Sequence, residues 1–121
     1  MQYMLLIHDD EARLATMSDE ERGRLYQEYG VFSQELRDDG AMVGGDQLQP
    51  TSTATTVRVR DGEQLATDGP FAETKEQLGG YYIIEVGTLD EAIEWAARIP
   101  SARLGSIEVR PIVSVGAEAQ A

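Results

Sequence analysis

The chain has 121 residues, of which 22 are Asp or Glu and ten are Lys or Arg, so its formal net charge is -12. This length suits one domain, which we expect at residues 1–115, ahead of a flexible tail at residues 116–121. The absence of Cys excludes a disulfide framework and a cysteine nucleophile. The acidic balance argues against nucleic-acid binding, which needs clustered cations. No apolar run approaches the roughly 20 residues of a membrane helix, so we expect a cytoplasmic protein without membrane contact.

A strand and a long helix are predicted first. Residues 2–8 are apolar at both alternating sets of positions, which predicts a strand that is covered on both faces. Ser18 and Glu21 form a capping-box pattern, and Gly40 is suited to a helix end, so residues 19–39 are predicted to be helical. The apolar stripe of this helix, at helical spacing, consists of Leu25, Tyr29, Phe32 and Leu36.

The middle of the chain is predicted to form a short strand or turn at residues 41–45 and then a β-hairpin. Residues 56–60 and 63–67 flank the Asp-Gly pair at residues 61–62. Asp-Gly between two such runs is a strong hairpin signal, because both turn positions need a positive φ. A long connection is expected at residues 68–80.

The last third repeats the strand-helix-strand order. Residues 81–86 are β-branched or aromatic and predict a strand. A second capping-box pattern at residues 88–91 opens a helix that should stop before Pro100. A final strand is predicted at residues 106–113, and Pro111 within it should lie at an edge or a bulge because it has no amide proton.

This order predicts an α+β fold, namely a ferredoxin-like sandwich with an inserted β-hairpin. Both helices would pack on one face of one antiparallel sheet. The opposite face also needs a cover, because the first strand is apolar on both sides and a chain this short has nothing left over. We therefore expect a two-fold homodimer.

The segment DGPFAETKEQLGGYY, which runs from Asp68 to Tyr82, resembles the signature of the DGPF subgroup of YCII-related proteins. The opening run at residues 3–7, the Val-Gly-Gly run at residues 43–45 and the closing run at residues 108–111 also match. The resemblance covers nearly the whole chain. It implies a dimeric α+β barrel built from two ferredoxin-like units that pack face to face.

The resemblance also implies a choice of functions. Some YCII-related proteins are small lyase-like enzymes that use a His–Asp pair, with the His on the first helix, but the helix predicted here has no His and carries Tyr26 and Tyr29 instead. Many DGPF proteins are encoded beside, or fused to, sigma factors of the extracytoplasmic-function class. The resemblance therefore implies a small-ligand-binding or regulatory module linked to a sigma factor. The alternative is a cofactor-free lyase- or hydrolase-like enzyme that acts on a small anionic or phenolic substrate.

His8 and Asp68 are the candidate acid–base residues. His8 is the only His, lies at the end of the first strand and precedes Asp9 and Asp10, whose carboxylates can orient an imidazole that titrates near neutrality. The alternative is a strand-end His without a chemical role. Asp68 can bond amides two residues further on, so a turn-forming role is equally open.

The candidates for binding a small, possibly anionic, ligand are spread over three segments. Lys75 is the only Lys and could hold an anionic group beside Glu73, or the two could form a solvated pair. Phe71 would dock the loop into the core, and Arg110 could face a cavity or pair across a dimer. The full set is Asp46, Phe71, Glu73, Lys75, Tyr82 and Arg110.

No metal site or cofactor is predicted. The Gly pairs at residues 44–45 and 79–80 lack phosphate-loop spacing and are expected to form bulges or tight packing. The acids at residues 9–11 and 38–39 are expected to form a solvated face rather than a cation site. With one His and no Cys, nothing has metal-ligand spacing, and no nucleophile motif is present.

Overall fold

The computed structural model describes residues 1–114, so the predicted tail at residues 116–121 lies outside the described residues. Within the described chain, no helix is long and apolar enough to cross a membrane. The strands are β1 (Gln2–Asp9), β2 (Met42–Gln47), β3 (Thr55–Arg60), β4 (Glu63–Asp68), β5 (Gln77–Glu85) and β6 (Ser106–Pro111). The helices are α1 (Glu11–Ala15), α2 (Asp19–Asp38) and α3 (Leu89–Arg98).

Four strands form one antiparallel sheet in the order β2-β5-β1-β6, and β3 and β4 form a separate two-stranded hairpin. The predicted ferredoxin-like α+β fold with an inserted hairpin is confirmed. The hairpin turn has the predicted positive φ angles, 53° at Asp61 and 77° at Gly62. Pro111 ends the edge strand β6, as its missing amide proton requires.

The core lies between this sheet and helices α2 and α3. Alternate residues of β1 point towards the helices and are buried, whereas the intervening ones are partly exposed on the opposite face of the sheet. Phe32 packs edge-to-face on Tyr82 and Trp95, with ring centroids 5.2 and 5.9 Å apart. The core side chains are Tyr3, Leu5, Ile7, Phe32, Leu36, Ala41, Tyr82, Ile84, Val86, Ala92, Ala96 and Ile99.

The predicted capping box at the start of α2 is confirmed, because Ser18 accepts from the Glu21 amide and Glu21 accepts from the Ser18 amide. At α3 the prediction is half right. Thr88 accepts from the Glu91 amide, but the Glu91 carboxylate reaches the Gly87 amide rather than that of Thr88. One reciprocal bond of the predicted second box is therefore absent.

Two stretches of the chain differ from expectation. The predicted long connection at residues 68–80 is wrong in extent, because β4 includes Asp68 and β5 begins at Gln77, which leaves residues 69–76 as the connection. The strand continues through the Gly pair because Gln77 pairs with Asp9 of β1. The short helix α1 was not predicted, since its five residues carry no apolar periodicity.

The Gly pairs were predicted to form bulges or tight packing. The register of β5 with β1 shifts at Gly79, whereas that of β2 with β5 shifts at Val43, directly before Gly44. Backbones also approach closely at glycines. A Cβ atom on Gly45 would lie 2.7 Å from the Tyr81 carbonyl oxygen, and one on Gly105 would lie 2.2 Å from the His8 carbonyl oxygen. The packing of β2 on β5, and of the turn before β6 on β1, therefore requires glycine.

We predict that Gly105→Ala lowers the free energy of unfolding by about 1–3 kcal/mol, because its methyl group would overlap the backbone of β1. Urea unfolding at one fixed protein concentration measures the change. The control is Gly23→Ala on α2, which meets no atom within 4 Å and should raise stability by roughly 0.5–1 kcal/mol. Equal stability of the two variants would contradict the close packing at Gly105.

Candidate functional site

A cavity of about 400 Å³ lies between the sheet and α2. Its wall on the sheet includes Ile7, Gly45 and Gly80, and the connection between α1 and α2 contributes Met17. Helix α2 supplies the opposite wall from one of its faces. The lining residues on this face are Arg22, Leu25, Tyr26, Tyr29, Ser33 and Arg37.

The cavity exists because small residues face the helix where large ones would fill the space. Gly45 pairs with Tyr82 and Gly80 pairs with Ile7, so both glycines lie on the helix side of the sheet without a side chain. The predicted apolar stripe of α2 therefore has two parts, one at the cavity and one in the core. Its second half is buried in the core, whereas Leu25 and Tyr29 are half-buried and line the cavity.

Asp9 brings a buried carboxylate to the cavity wall, where its residue is only 5% exposed. Its Oδ1 accepts from Arg13 Nη2 at 2.6 Å and from the Asp10 amide at 2.8 Å. Its Oδ2 is fully buried and has no hydrogen-bond partner in the described chain. Burying an acceptor without a hydrogen-bond donor costs free energy, and unpaired buried acceptors are rare in folded proteins. The unpaired Oδ2 therefore sets this site apart from an ordinary packing contact.

The prediction of a solvated face at residues 9–11 is wrong. Asp9 is buried, Asp10 caps α1, and the Glu11 carboxylate accepts from the Thr51 amide and hydroxyl. Each acid has a separate structural contact because β1 ends here and α1 begins at once. The acids at residues 38–39 are exposed, as predicted.

Two pairs of hydroxyl groups also line the cavity. Tyr29 and Ser101 share a hydrogen bond of 2.6 Å, and Ser33 and Tyr82 share one of 2.7 Å. Burial raises the pKa of Tyr29, the hydrogen bond with Ser101 opposes this, and the charge of Asp9 adds to the increase. The Tyr29 phenol therefore stays protonated and can donate or accept a hydrogen bond.

Two arginines line the cavity, and the sequence analysis missed both. Arg22 donates to the Leu14 and Met17 carbonyl oxygens, which ties α1 to α2. The Arg37 side chain makes no ion pair or hydrogen bond among the residues described. The signal available in the sequence was their helical spacing from Tyr26 and Ser33 on the same helix.

Of the predicted site residues, Asp46 and Tyr82 border the cavity. His8 and Arg110 lie instead on the open face of the sheet, which is the face opposite the helices. His8 Nε2 is 3.6 Å from Glu108 Oε1, and Arg110 pairs with the same carboxylate. The hydrogen bond from Arg110 lowers the pKa of Glu108. The single chain therefore places neither His8 nor Arg110 at the cavity.

The remaining predicted site residues, Asp68, Phe71, Glu73 and Lys75, are exposed and do not line the cavity. The predicted docking of Phe71 into the core is wrong for the isolated chain, because its side chain is 81% exposed. The Asp68 carboxylate belongs to β4 and makes no hydrogen bond to an amide within the described residues. The next residue, Gly69, has a positive φ of 101°.

Residues 1–114 contain no group of three His, Asp or Glu side chains that could hold a metal ion. The cavity is instead lined by hydroxyl groups, apolar side chains, the buried carboxylate of Asp9, the exposed carboxylate of Asp46 and two arginines. Such an arrangement can bind an organic molecule through a few directed hydrogen bonds within a largely apolar space.

The sheet order and inserted hairpin define a ferredoxin-like α+β domain with a cavity under its long helix. The model of the YCII-related domain matches residues 1–115. The chain is also similar to an uncharacterised protein of Rhizobium meliloti (strain 1021), with 39% identity over 114 residues that cover 93% of this chain and 92% of the relative. The chain therefore belongs to the YCII-related family.

We predict that Asp46→Asn lowers the pKa of Tyr81. The Tyr81 hydroxyl donates to Asp46 Oδ2 at 2.9 Å, and this bond and the carboxylate charge raise the pKa of Tyr81. Titration of ¹³C-labelled tyrosines by NMR measures it, with Tyr81→Phe to assign the signal. Asp38→Asn, an exposed carboxylate bonded to Gln34, is the control and should leave the titration unchanged.

The same bond makes a pH-dependent contribution to stability. Because the folded chain holds the Tyr81 proton more tightly, the contribution is complete below the ordinary tyrosine pKa of 10.0. It is lost as the pH rises from that value through the higher pKa of the folded state. A Tyr81 signal that titrates identically in the parent chain and in Asp46→Asn would contradict the interaction.

Proposed function

We propose that the chain is a small-ligand-binding domain and that the cavity under α2 is its ligand site. The observation that carries this proposal is the buried Asp9 carboxylate, with one oxygen unpaired in the described chain, in the wall of a cavity of about 400 Å³. A cavity of this size suits a small organic molecule. The hydroxyl pairs of Tyr29 and Ser33 supply further polar contacts.

A regulatory role is the form of this function that we favour, in a member of the DGPF subgroup that acts with a sigma factor in the cytoplasm. The subgroup and the sigma factor rest on the sequence resemblance alone, above all that of residues 68–82, and the ligand site does not depend on them. A cofactor-free enzyme is the second candidate. Asp9 beside the Tyr29–Ser101 pair favours it, because a carboxylate next to a hydroxyl pair can accept and pass on a proton.

We also propose that the working form is a homodimer, a dimeric α+β barrel in which a second copy covers the open face of the sheet. Met4 and Leu6 of β1 and Ile83 of β5 form a continuous apolar strip across the centre of that face. Each is partly exposed in the single chain. An apolar strip on the two central strands is best removed from water by packing on its own copy.

The ligand proposal is tested with a panel of fluorinated monocyclic aromatic fragments, neutral, anionic and cationic, whose binding is followed by ¹⁹F relaxation. Leu25→Trp should abolish the binding of fragments that bind the parent chain, because the larger ring would occupy the cavity. Val31→Trp is the matched control, since Val31 lies on the same helix, is 60% exposed and does not line the cavity.

Binding of these fragments should be unchanged in Val31→Trp. A panel in which no fragment binds the parent chain would contradict the proposed ligand site. Fragments that bind Leu25→Trp as well as the parent would contradict it too, because they would bind elsewhere.

We predict that Leu6→Asp converts the dimer into a monomer at micromolar concentration, because a charge at the centre of the open face would be buried without a partner. Multi-angle light scattering measures the mass, and circular dichroism checks that the variant is folded. Leu89→Asp is the control, because Leu89 is exposed at the first turn of α3, where an acid suits the helix dipole. A parent chain that is monomeric at this concentration would overturn the dimer.

A further inference from the structure

We infer that the cavity selects a small, largely apolar or aromatic molecule that carries a neutral hydrogen-bond donor, and that Asp9 is the residue that recognises this donor. The inference rests on the proposed function, since it names the chemical class of the ligand for the same cavity.

The position of Asp9 supports its role in recognition. The side chain is held from two sides, because Arg13 and the Asp10 amide bind Oδ1 and the backbone at Gly105 packs against the carboxyl carbon. A Cβ atom built on Gly105 would lie 3.2 Å from that carbon, so the turn before β6 lies close to the carboxylate on this side. Its remaining oxygen, Oδ2, has no donor among the described residues, and Asp9 is part of the cavity wall.

The two hydroxyl pairs do not compete for this oxygen. Tyr29 is bonded to Ser101, and Ser33 is bonded to Tyr82; each bond uses one of the two hydroxyl protons of its pair, and no hydroxyl of the described residues reaches Oδ2. A donor on a bound molecule would therefore give Oδ2 the hydrogen bond that it lacks, and a molecule without a donor would leave Oδ2 unpaired. Sites built around a buried polar group discriminate strongly against analogues that lack the matching group.

The donor should be neutral rather than cationic. Arg13 Nη2 already binds the Asp9 carboxylate at 2.6 Å, so the charge of this carboxylate is offset within the chain. A ligand ammonium would bring a second cation to the same carboxylate and would lose its own hydration in the cavity. A hydroxyl or a neutral N–H group brings no second charge and costs less free energy to remove from water.

The rest of the ligand should be apolar or aromatic. Ile7, Leu14, Met17 and Leu25 supply aliphatic or thioether surface to the cavity. Tyr26 and Tyr29 add aromatic rings from α2, and Tyr26 lies at its exposed rim. Aromatic rings pack well on such walls in offset or edge-to-face contacts.

The test compares three probes of similar size in the full chain: 4-fluorophenol, 4-fluoroanisole and 4-fluorobenzylamine. 4-Fluoroanisole keeps the oxygen but has no donor, and 4-fluorobenzylamine carries a cationic donor. ¹⁹F titrations should show that 4-fluorophenol binds about tenfold or more tightly than 4-fluoroanisole, as a hydrogen bond to a charged group predicts. It should also bind more tightly than 4-fluorobenzylamine.

Asp9→Asn should remove this preference, because the amide keeps one oxygen for Arg13 and replaces the free acceptor with an N–H donor. The affinity for 4-fluorophenol should fall about tenfold while that for 4-fluoroanisole stays the same. The matched control is Asp10→Asn, which makes the same chemical change at the next residue, keeps a good helix cap and does not line the cavity. If Asp9→Asn does not fold by circular dichroism, the ranking of the three probes in the parent chain decides the question.

Equal binding of 4-fluorophenol and 4-fluoroanisole to the parent chain would overturn the inference and leave the proposed ligand site standing. Preferred binding of 4-fluorobenzylamine would overturn the neutral donor in favour of a cation. A preference for 4-fluorophenol that persists in Asp9→Asn would overturn the role of Asp9. Failure of all three probes to bind would contradict the proposed function itself, and the inference with it.

Discussion

The structure depends on the burial of β1 in the centre of its sheet. This strand pairs with β5 on one side and with β6 on the other, so its backbone has neighbours on both edges. Tyr3, Leu5 and Ile7 are buried under the helices, and complete burial of a single such side chain contributes roughly 1.5–3 kcal/mol. The helices are held at the sheet by this face. The same strand presents Met4 and Leu6 on the other face, which explains why the fold of one chain leaves an apolar surface for a second.

The cavity is a consequence of how α2 lies on this sheet. Phe32 and Leu36 anchor the helix to the core, and Phe32 contacts the ring of Tyr82. Farther along the sheet, Gly45 and Gly80 bring the strands together but supply no side chain to meet the helix. The same two glycines therefore account both for the close backbone contacts and for the space that a ligand can occupy. A substitution that filled the space from the sheet side would also disturb the strand pairing.

Much of the fold could be predicted from the sequence because its signals are local. The capping box at Ser18, the positive-φ turn at residues 61–62 and the strand at residues 2–8 each depend on a few neighbouring residues, and all three are present in the structure. The exposed position of Phe71 could not be predicted this way, because an aromatic residue in a loop is buried only if the loop folds back on the core. Here the loop does not fold back.

The candidate site was less predictable, because it depends on which face of each element meets another. Two adjacent residues of β1 lie on opposite faces of the sheet. Because side chains alternate along a strand, His8 lies on the open face and Asp9 lies at the cavity. A charge-counting argument treats Asp9, Asp10 and Glu11 as one acidic patch. The end of β1 and the start of α1 separate them into a buried carboxylate, a helix cap and a loop contact.

The alternation of β1 also explains why an acid can be buried at this point at all. Asp9 occupies the next inward position after Ile7, so the strand geometry carries its carboxylate under α2 whatever its polarity. Arg13 lies four residues further on, within the short helix α1, and reaches back to the same carboxylate. Helix α1 therefore does more than connect β1 to α2. It supplies the arginine that pairs with one oxygen of Asp9 and so offsets the cost of burying the carboxylate. The other oxygen stays without a partner in the described chain, and this unpaired acceptor distinguishes the cavity from a packing defect.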